Sequence, residues 1–449
     1  MRQRTIVAST SIVILAGTAA AQDMFVFELT ETGNPNNMIS VGDNSLPDLA
    51  EDFADVRGDF SSFSGTAFMA NLNYAGVANA ISFTYDPSGG ANGGELLTIT
   101  NIEGFNGTIP AFDEANGDLG NQLQDFFLMD NPDALSDFMQ EMARRSFAAV
   151  TDGNPLAATA RMARYKYDRF GLNADFTATE MELFRDFSRR DGRNADAVAV
   201  EGEDGQPVAV DPDFPPHEAR SRWRNRFNVT GGSVEAGDFS GSSVDGYFSS
   251  EIVFNEHLSL GLGGNLGYHE LEGADVVNGA FHVDLPIRII NPGPHDRWGW
   301  TWCVSPGAAA GWSASYDYAA GGAMYCVGAV NRVTLDMPRG WAVTLAQSFT
   351  WHRGQKLEIG DYEFDPGVDQ KILKVGGKVS KRLGDKAFVF GGATWTDFIE
   401  DAAVDNYTTP TAGFGFRFRN GGVLAFAYEG DFADDFNRQQ IRFDMAFSF

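Results

Sequence analysis

Arg438–Phe449 reads RQQIRFDMAFSF, and this stretch decides the predicted fold. Alternate positions are apolar, while the positions between them include Arg442, Asp444 and Ser448. Successive side chains of a strand point to opposite faces, so the segment predicts a strand with one apolar and one polar face. Chain ends usually fray into water, which makes an apolar strand at this position unusual for a soluble protein. The apolar positions are Ile441, Phe443, Met445, Phe447 and Phe449.

The first residues have the features of an export signal. Arg2 and Arg4 precede a mostly apolar run that ends at Ala16, and small residues then suit cleavage before Gln22. We therefore expect residues 1–21 to be a cleaved signal peptide. The alternative is a short membrane anchor, but neither this run nor any later one reaches the ~18 to 20 continuous apolar residues of a transmembrane helix.

The charge of the chain is strongly negative and unevenly distributed. Its formal net charge is -28, which argues against nucleic acid as a partner. From Asp23 onward, Arg57 is the only basic residue before Arg144, after which Arg and Lys become frequent. This asymmetry indicates at least two regions. No ligand loop supports a divalent-cation site among the acidic residues.

Residues 22–110 predict a β-rich acidic region. Strands are expected over Met24–Leu29, Ile81–Tyr85 and Leu96–Thr100, and a run of Pro, Ser, Gly and Asn between the last two predicts a turn. These strands predict either a small sandwich or an irregular segment.

Residues 111–194 predict a helical region. Apolar residues recur at helical spacing, and Pro132 and Pro155 suit the first turns of two helices. A capping box at Thr177–Glu180 precedes another. Basic residues cluster over Arg161–Arg169 and Arg185–Arg193, which indicates either solvated helix faces or contact with an acidic partner.

Residues 195–222 predict a linker, because acidic residues, Gly and Pro leave no apolar period. From Trp223 to Phe449 about twelve segments alternate, most of them extendable to the ~9 to 11 residues of a membrane-spanning strand. The predicted fold is mainly β: a transmembrane antiparallel barrel of about twelve strands at 223–449, preceded by an exported α+β region. A soluble β-sandwich is the alternative. Aromatics near predicted strand ends suit a membrane-interface girdle, namely Trp298, Trp300, Trp341, Trp351, Tyr268 and Tyr428.

The parity of the strands also predicts which side chains face the lumen. Cys303 and Cys326 fall on the inward parity of neighbouring strands, so a disulfide between them depends on a register that the sequence does not fix. The polar side chains expected to face the lumen are His282, Asp284, His352, Lys374, Lys378, Arg417, Arg442 and Asp444.

No catalytic, cofactor or metal site is predicted. An outer-membrane hydrolase would need a nucleophile beside a base. The candidate bases are His269, His282 and His352, and the candidate nucleophiles are Ser259, Ser305 and Ser348. None lies in a G-x-S-x-G signature, and the chain has no zinc spacing, EF-hand loop or phosphate loop. Polar residues are expected in a barrel lumen without any activity.

With its length, its strand count and its terminal aromatic at Phe449, the segment 223–449 resembles the barrel domain of autotransporter-type outer-membrane proteins of Gram-negative bacteria. The resemblance implies that the final strand contacts the barrel-assembly machinery, that the wall contacts outer-membrane lipid and that the barrel displays or translocates the N-terminal region. It does not extend to a repetitive passenger, since 22–194 has no repeats. Only a short helix would fit at His217–Trp223, where the family usually threads one through the barrel.

The leading hypothesis is therefore a non-enzymatic outer-membrane barrel that anchors and displays its N-terminal domain. The alternative is a passive, porin-like channel whose N-terminal helical domain lies in the periplasm or plugs the lumen. A hydrolase is a third hypothesis. The sequence does not identify a surface ligand or a transported solute.

Overall fold

The computed structural model has an N-terminal α+β domain and a C-terminal barrel. It describes residues 23–54, 63, 65–146, 198–201, 207–210 and 223–448, apart from short gaps at 255–256, 291–298, 318–319, 356, 360–361, 365–368, 385, 401, 403, 419–421 and 435. The predicted signal peptide, the helices predicted beyond Ser146, the side chain of Arg417 and the terminal Phe449 lie outside the described residues.

The N-terminal domain is built on one antiparallel sheet of six strands in the order β2-β1-β3-β4-β5-β6. Its helices are α1 (Leu46–Ala54), α2 (Leu119–Asp125) and α3 (Pro132–Arg145), with a five-residue π-helical segment between α2 and α3. The strands are β1 (Phe25–Glu31), β2 (Met38–Asp43), β3 (Phe68–Tyr74), β4 (Val77–Asp86), β5 (Leu96–Ile102) and β6 (Ala111–Asp113).

One face of this sheet forms an aromatic core. Phe25, Phe27 and Leu29 alternate with half-exposed residues along β1, so a single face of the strand is buried. The ring of Tyr74 on β3 meets that of Phe138 on α3 edge to face, with centroids 5.7 Å apart. Burial also raises the pKa of the Tyr74 hydroxyl. The helices thus cover the apolar face of the sheet.

The structure refines the expectations for this half of the chain, whose first region is built on a sheet. The domain has one sheet covered by helices, where a sandwich or an irregular segment was expected. The sheet continues to Asp113, past the expected boundary at residue 110, and α1 lies inside the region predicted as β-rich. The predicted linker contains a two-stranded hairpin, β7 (Val198–Glu201) with β8 (Pro207–Val210). The apolar alternation of β7 and β8 is short, and the acidic and Gly residues around it favoured the prediction of a linker.

The C-terminal half is a closed antiparallel barrel of twelve strands, which confirms the predicted fold class. Each strand pairs with the next along the chain, and the last pairs with the first, with Ile441 opposite Gly231. The wall strands are β9 (Trp223–Ala236), β10 (Phe239–Val253), β11 (Ser259–Leu271), β12 (Ala274–Asp284), β14 (Gly299–Ser315), β15 (Ala320–Met337), β16 (Trp341–Gln355), β19 (Asp369–Leu383), β20 (Ala387–Phe398), β21 (Asn406–Arg417), β22 (Val423–Ala433) and β23 (Phe436–Ser448).

Three further short strands lie in the connections between wall strands. β13 (Ile287–Ile290) pairs with the start of β14, and β17 (Leu357–Ile359) pairs with β18 (Tyr362–Phe364) in a hairpin between β16 and β19. We call the barrel end at which β9 begins and β23 ends the terminal end. The opposite end, formed by the connections after β9, β11, β14, β16, β20 and β22, is called the rim.

The barrel is apolar outside and polar inside. Along β16, Leu345 and Phe349 are exposed on the exterior, whereas Thr344 and Ser348 are buried on the interior. Trp341 and Trp351 lie on the exterior near the two ends of this strand. At about 3.3 Å per residue and a tilt of about 40°, they are separated by roughly 25 Å along the barrel axis, which is the height of the apolar band of a membrane barrel.

A pH-dependent contribution to stability is expected at Asp113. Its carboxylate accepts backbone hydrogen bonds from Ala91 and Ala115, both at 2.9 Å, and these hold the pKa of Asp113 below its ordinary value of 3.8. The stabilisation is therefore present above pH 3.8 and is lost as the pH falls through the lowered pKa.

We expect Asp113→Asn to destabilise the N-terminal domain at neutral pH, with the difference from wild type shrinking as the pH is lowered below 3.8. Urea unfolding of the full chain, followed by hydrogen exchange at β6, measures both quantities. A difference that stays constant across this range would show that the carboxylate charge is irrelevant.

Candidate functional site: the polar lumen and its covered rim

The lumen wall carries the polar residues that strand parity placed there. His282 and Asp284 lie on β12, His352 lies on β16, and each side chain is at most 9% exposed. The remaining members are equally buried: Lys374 and Lys378 on β19, and Arg442 and Asp444 on β23. The expected exterior residues of β23 lie on the opposite face, with Ile441 52% and Met445 37% exposed and Phe443 and Phe447 half-exposed.

A charged network spans the seam where the last strand meets the first. The Arg442 guanidinium pairs with Glu429 on β22, and its Nε donates to Asp444 Oδ2 at 2.7 Å. Asn228 Nδ2 on β9 donates to Asp444 Oδ1 at 2.8 Å, and Thr230 Oγ1 donates to Asn228 Oδ1 at 3.0 Å. Each charge is nine-tenths or more buried and has an opposite charge beside it, as a buried ion requires. The network therefore connects β22, β23 and β9 across the closure.

A second ion pair extends the network toward the rim. Arg438 on β23 pairs with Asp431 on β22, and its Nε donates at 2.8 Å. The other carboxylate oxygen of Asp431 accepts from Thr409 Oγ1 on β21 at 2.5 Å. Side-chain contacts thus tie three consecutive strands together inside the barrel.

The opposite part of the wall holds the histidines that were considered as catalytic bases. His269 Nε2 lies 3.3 Å from Asp245 Oδ1, and the His282 ring stacks on Tyr247 at 5.6 Å between centroids. His352 Nε2 lies 3.1 Å from Thr350 Oγ1. These contacts join the histidines to a carboxylate, a phenol and a threonine, as a hydrogen-bonded polar wall requires.

Of the three candidate nucleophiles, two have described side-chain contacts and the third is simply buried. Ser259 Oγ donates to Glu251, and Ser305 Oγ lies 3.7 Å from Cys303 Sγ. Ser348 lies on the buried face of β16. No group of three or more His, Cys, Asp or Glu in the described part of the chain is placed to hold a metal ion.

Cys303 and Cys326 are not bonded to each other, so the disulfide considered from the sequence is not formed. Both face inward on neighbouring strands, as parity predicts. However, Cys303 lies opposite Arg332, and Cys326 lies opposite Ala309. The thiols are therefore offset by about 20 Å along the strands, whereas a disulfide needs Cα atoms within about 7 Å.

Near the rim the inner wall changes from polar to apolar. These inward-facing apolar residues form one continuous cluster with the core of the N-terminal domain. Such a shared core means that the domain packs onto the rim and covers the barrel mouth. The barrel residues of the cluster are Val234, Ala236, Phe239, Leu271, Ala274, Val276, Ile372, Phe398, Val404, Tyr407 and Phe436.

Specific contacts fix the domain on the rim. Phe239 follows the β9–β10 turn and packs against Gly76 in the β3–β4 turn, where a Cβ would lie 3.2 Å from the ring. Gly76 has φ +86°, a conformation that other residues rarely adopt. The Leu46 backbone N–H at the start of α1 donates to the Asp317 carbonyl in the β14–β15 turn at 2.7 Å. The contacts thus involve two separate connections of the barrel.

Sequence reasoning missed this rim cluster. The alternating patterns used to predict the strands did not single out any of its members. One signal was present: Val234, Ala236 and Phe239 are apolar at positions whose parity points inward. Apolar residues on the lumen parity at a strand end indicate that something apolar covers that end.

Comparisons with known proteins find likeness in structure only. No family model matches the chain, and no curated protein matches its sequence. The translocator domain of autotransporter NalP from Neisseria meningitidis is 14% identical over 60% of this chain and 98% of that one, with a TM-score of 0.35. The transport unit of autotransporter AIDA-I from Escherichia coli is 10% identical over 53% and 93%, with a TM-score of 0.37. An outer-membrane channel from Pseudomonas putida F1 is 12% identical over 54% and 100%, with a TM-score of 0.36.

The wall itself defines the class of protein. In a closed antiparallel barrel every wall strand has hydrogen-bonded neighbours on both sides, so no strand edge is exposed. Together with an apolar exterior and a polar interior, this is what a membrane requires. The chain is a β-barrel protein of the outer-membrane type, with an α+β domain seated on its rim. Among the described residues, no helix is long and apolar enough to cross a membrane.

The seam network predicts the effect of a substitution at Arg442. Arg442→Met leaves Glu429 and Asp444 without their guanidinium partner, which is expected to lower stability by about 3–5 kcal/mol. The temperature at which the folded band disappears from a semi-native gel measures this loss. The triple change Arg442→Met, Glu429→Gln and Asp444→Asn removes the charges together and should recover part of it. Equal melting of wild type and Arg442→Met would contradict the role assigned to the network.

The rim contacts predict a separate loss in the N-terminal domain. Phe239→Ala removes a ring that is 4% exposed, at an expected loss of about 3–5 kcal/mol. Calorimetry of the full chain should show a lower transition for the domain and an unchanged one for the barrel. Phe248→Ala is the matched control, because Phe248 lies on the exterior of the same strand and is 53% exposed. Parallel shifts in both variants would disprove the docking role.

Proposed function

We propose that this protein is a non-enzymatic outer-membrane barrel that carries its N-terminal domain on the cell-surface side of the membrane. The observation that supports it is the position of the domain on the rim. The domain precedes the barrel in the chain, yet it packs at the barrel end opposite to the one where β9 begins.

The orientation of the barrel in the membrane decides on which side the rim and its domain lie. Both ends of the barrel segment, Trp223 and Ser448, lie at the terminal end. An exported chain reaches the outer membrane from the periplasm, and hairpins can insert from that side while the segment ends stay behind. The terminal end then faces the periplasm and the rim faces outward. The length of the connections does not decide the matter, since both ends have short turns and one long connection.

The connectivity adds a second support for display. Ser146 belongs to the N-terminal domain at the rim, because its Oγ donates to the Ala75 carbonyl at 2.9 Å, next to Gly76. Trp223 begins the wall at the terminal end. Ser146 and Trp223 therefore lie at opposite ends of the barrel. If the terminal end faces the periplasm, a domain packed on the rim lies on the outer side of the membrane.

A passive channel is the second candidate, and the polar lining of the lumen is what favours it. Lys374 and Lys378 add positive charge to the wall, while Asp245 and Asp284 add negative charge. Against an open channel, these side chains are nine-tenths or more buried and the N-terminal domain covers the mouth. We therefore expect no stable conductance from the intact protein in planar bilayers. A stable, reproducible conductance would favour the channel.

Surface exposure of the domain tests the display proposal directly. An epitope inserted at Asn92, in the exposed β4–β5 connection, should bind antibody on intact cells and be lost after protease treatment. The matched control is the same epitope at Arg339, in the β15–β16 turn at the terminal end. The control should be detected only after the outer membrane is opened.

The two epitopes also distinguish the alternatives. If the epitope at Asn92 is protected on intact cells and that at Arg339 is accessible, the barrel is inserted the other way round. If both are protected until the membrane is opened, the domain is periplasmic. Either result rules out display.

A further inference from the structure

Two amides lie on the lipid-facing side of the barrel. Asn331 on β15 and Gln347 on β16 have exterior parity and are direct cross-strand partners. Their exterior neighbours along the same strands are apolar, with Ala329 and Val333 beside Asn331 and Leu345 and Phe349 beside Gln347. The pair thus interrupts an otherwise apolar stretch of wall.

The depth of this pair places it inside the apolar band. Gln347 lies between Trp341 and Trp351, which mark the two edges of the band on β16. At about 3.3 Å per residue and a tilt of about 40°, Gln347 is roughly 15 Å from the level of Trp341 and roughly 10 Å from that of Trp351. Water does not reach this depth to hydrogen-bond the amide.

The hydrogen bonding of the pair is incomplete. Trp302 Nε1 donates to Asn331 Oδ1 at 2.7 Å, which satisfies one acceptor. Within the described part of the chain, the Asn331 amide nitrogen has no acceptor and the Gln347 side-chain amide has no hydrogen bond. Gln347 is exposed on the wall. An amide without hydrogen-bond partners is unfavourable in hydrocarbon, so a barrel alone in lipid would be destabilised at this position.

We propose that the wall formed by β15 and β16 is the contact surface for a second copy of this chain. The two copies are related by a two-fold axis near Gln347, and their Gln347 and Asn331 amides hydrogen-bond across it. A primary amide carries both donors and an acceptor, so it is complementary to its own copy under two-fold symmetry. An acyl chain offers neither group. A second copy has the same amide pair at the same depth in the membrane, because the two chains are identical.

The surface beside the amides suits close approach. Pro306 on β14 pairs with Ala329 on β15, and Ala308 lies beside them on the exterior. These short side chains let two walls come near enough for amides to meet, as small residues do at membrane contacts. The inference depends only on the wall facing lipid and not on which side displays the N-terminal domain.

Cross-linking in membranes tests whether two copies meet at the β15–β16 wall. In the full chain with Cys303→Ser and Cys326→Ser, Leu345→Cys keeps both amides, because Leu345 is the exterior residue beside Gln347 and is 54% exposed, and it should give a dimer with a short bismaleimide cross-linker. The matched control is Ile441→Cys on β23, across the barrel, which is 52% exposed on the exterior near mid-strand. The control should remain monomeric. Equal cross-linking of both variants, or of neither, overturns the proposal.

A second measurement covers the case in which cysteine alters folding. Gln347→Leu should weaken dimerisation on the order of tenfold, consistent with an amide contact of about 1–2 kcal/mol in membranes. Sedimentation of the full chain in a density-matched detergent measures the dimer constant, and gel mobility before and after heating confirms folding. If Gln347→Leu is folded and dimerises as wild type does, or if wild type is monomeric at every concentration, the proposal is wrong. A monomeric wild type stabilised by Gln347→Leu would show a solitary amide facing lipid.

Discussion

The pairing of β23 with β9 is the contact on which the rest of the structure depends. Backbone groups inside a bilayer have no water to bond, so a wall with an open edge is not tolerated there. The register that sets Ile441 opposite Gly231 removes the last two edges. The exterior can then be apolar throughout, while the interior must satisfy its own charges. The Arg442 network lies at this seam, so the same strand closes the backbone ladder and neutralises the lumen beside it.

The domain that covers the barrel mouth distinguishes this barrel from an open channel. A polar wall open at both ends is a channel, whereas this wall becomes apolar at the rim and continues into the core of another domain. Phe239 is part of both units, since it begins a wall strand and packs on Gly76. The N-terminal domain and the barrel therefore fold against one another at that end. The proposed display would therefore present a domain seated on the rim and not a passenger released on a tether.

The barrel could be predicted from the sequence because its rule is short-range. Inside and outside differ at every second residue, so Ile441 and Arg442 reveal their faces without knowledge of the partner strand. Strand number followed from counting such runs. The disulfide could not be judged in this way, because parity says which face Cys303 occupies and nothing about which residue lies opposite. Register is a property of two strands and their turn.

The rim and the exterior amides were missed for a related reason. Phe239 and Val276 are apolar on the lumen parity of their strands, and only the docked domain shows why. Asn331 and Gln347 sit on the apolar parity of their strands, where single polar residues are easily passed over. Their adjacency appears only once Asn331 lies opposite Gln347. The fold was thus accessible from local pattern, whereas its contacts required the assembled wall.

The absence of a disulfide between Cys303 and Cys326 has a consequence for how the barrel must fold. A bond between Cys303 and Cys326 would fix β14 against β15 six residues away from the observed register, in which Cys303 faces Arg332. An even displacement leaves each side chain on its own face of the wall. The burial pattern of the side chains would therefore not disfavour the slipped register relative to the observed one. A disulfide formed between Cys303 and Cys326 before β14 and β15 align would therefore hold the wall in the slipped topology, so the observed register requires the two sulfurs to remain unlinked until the strands have paired.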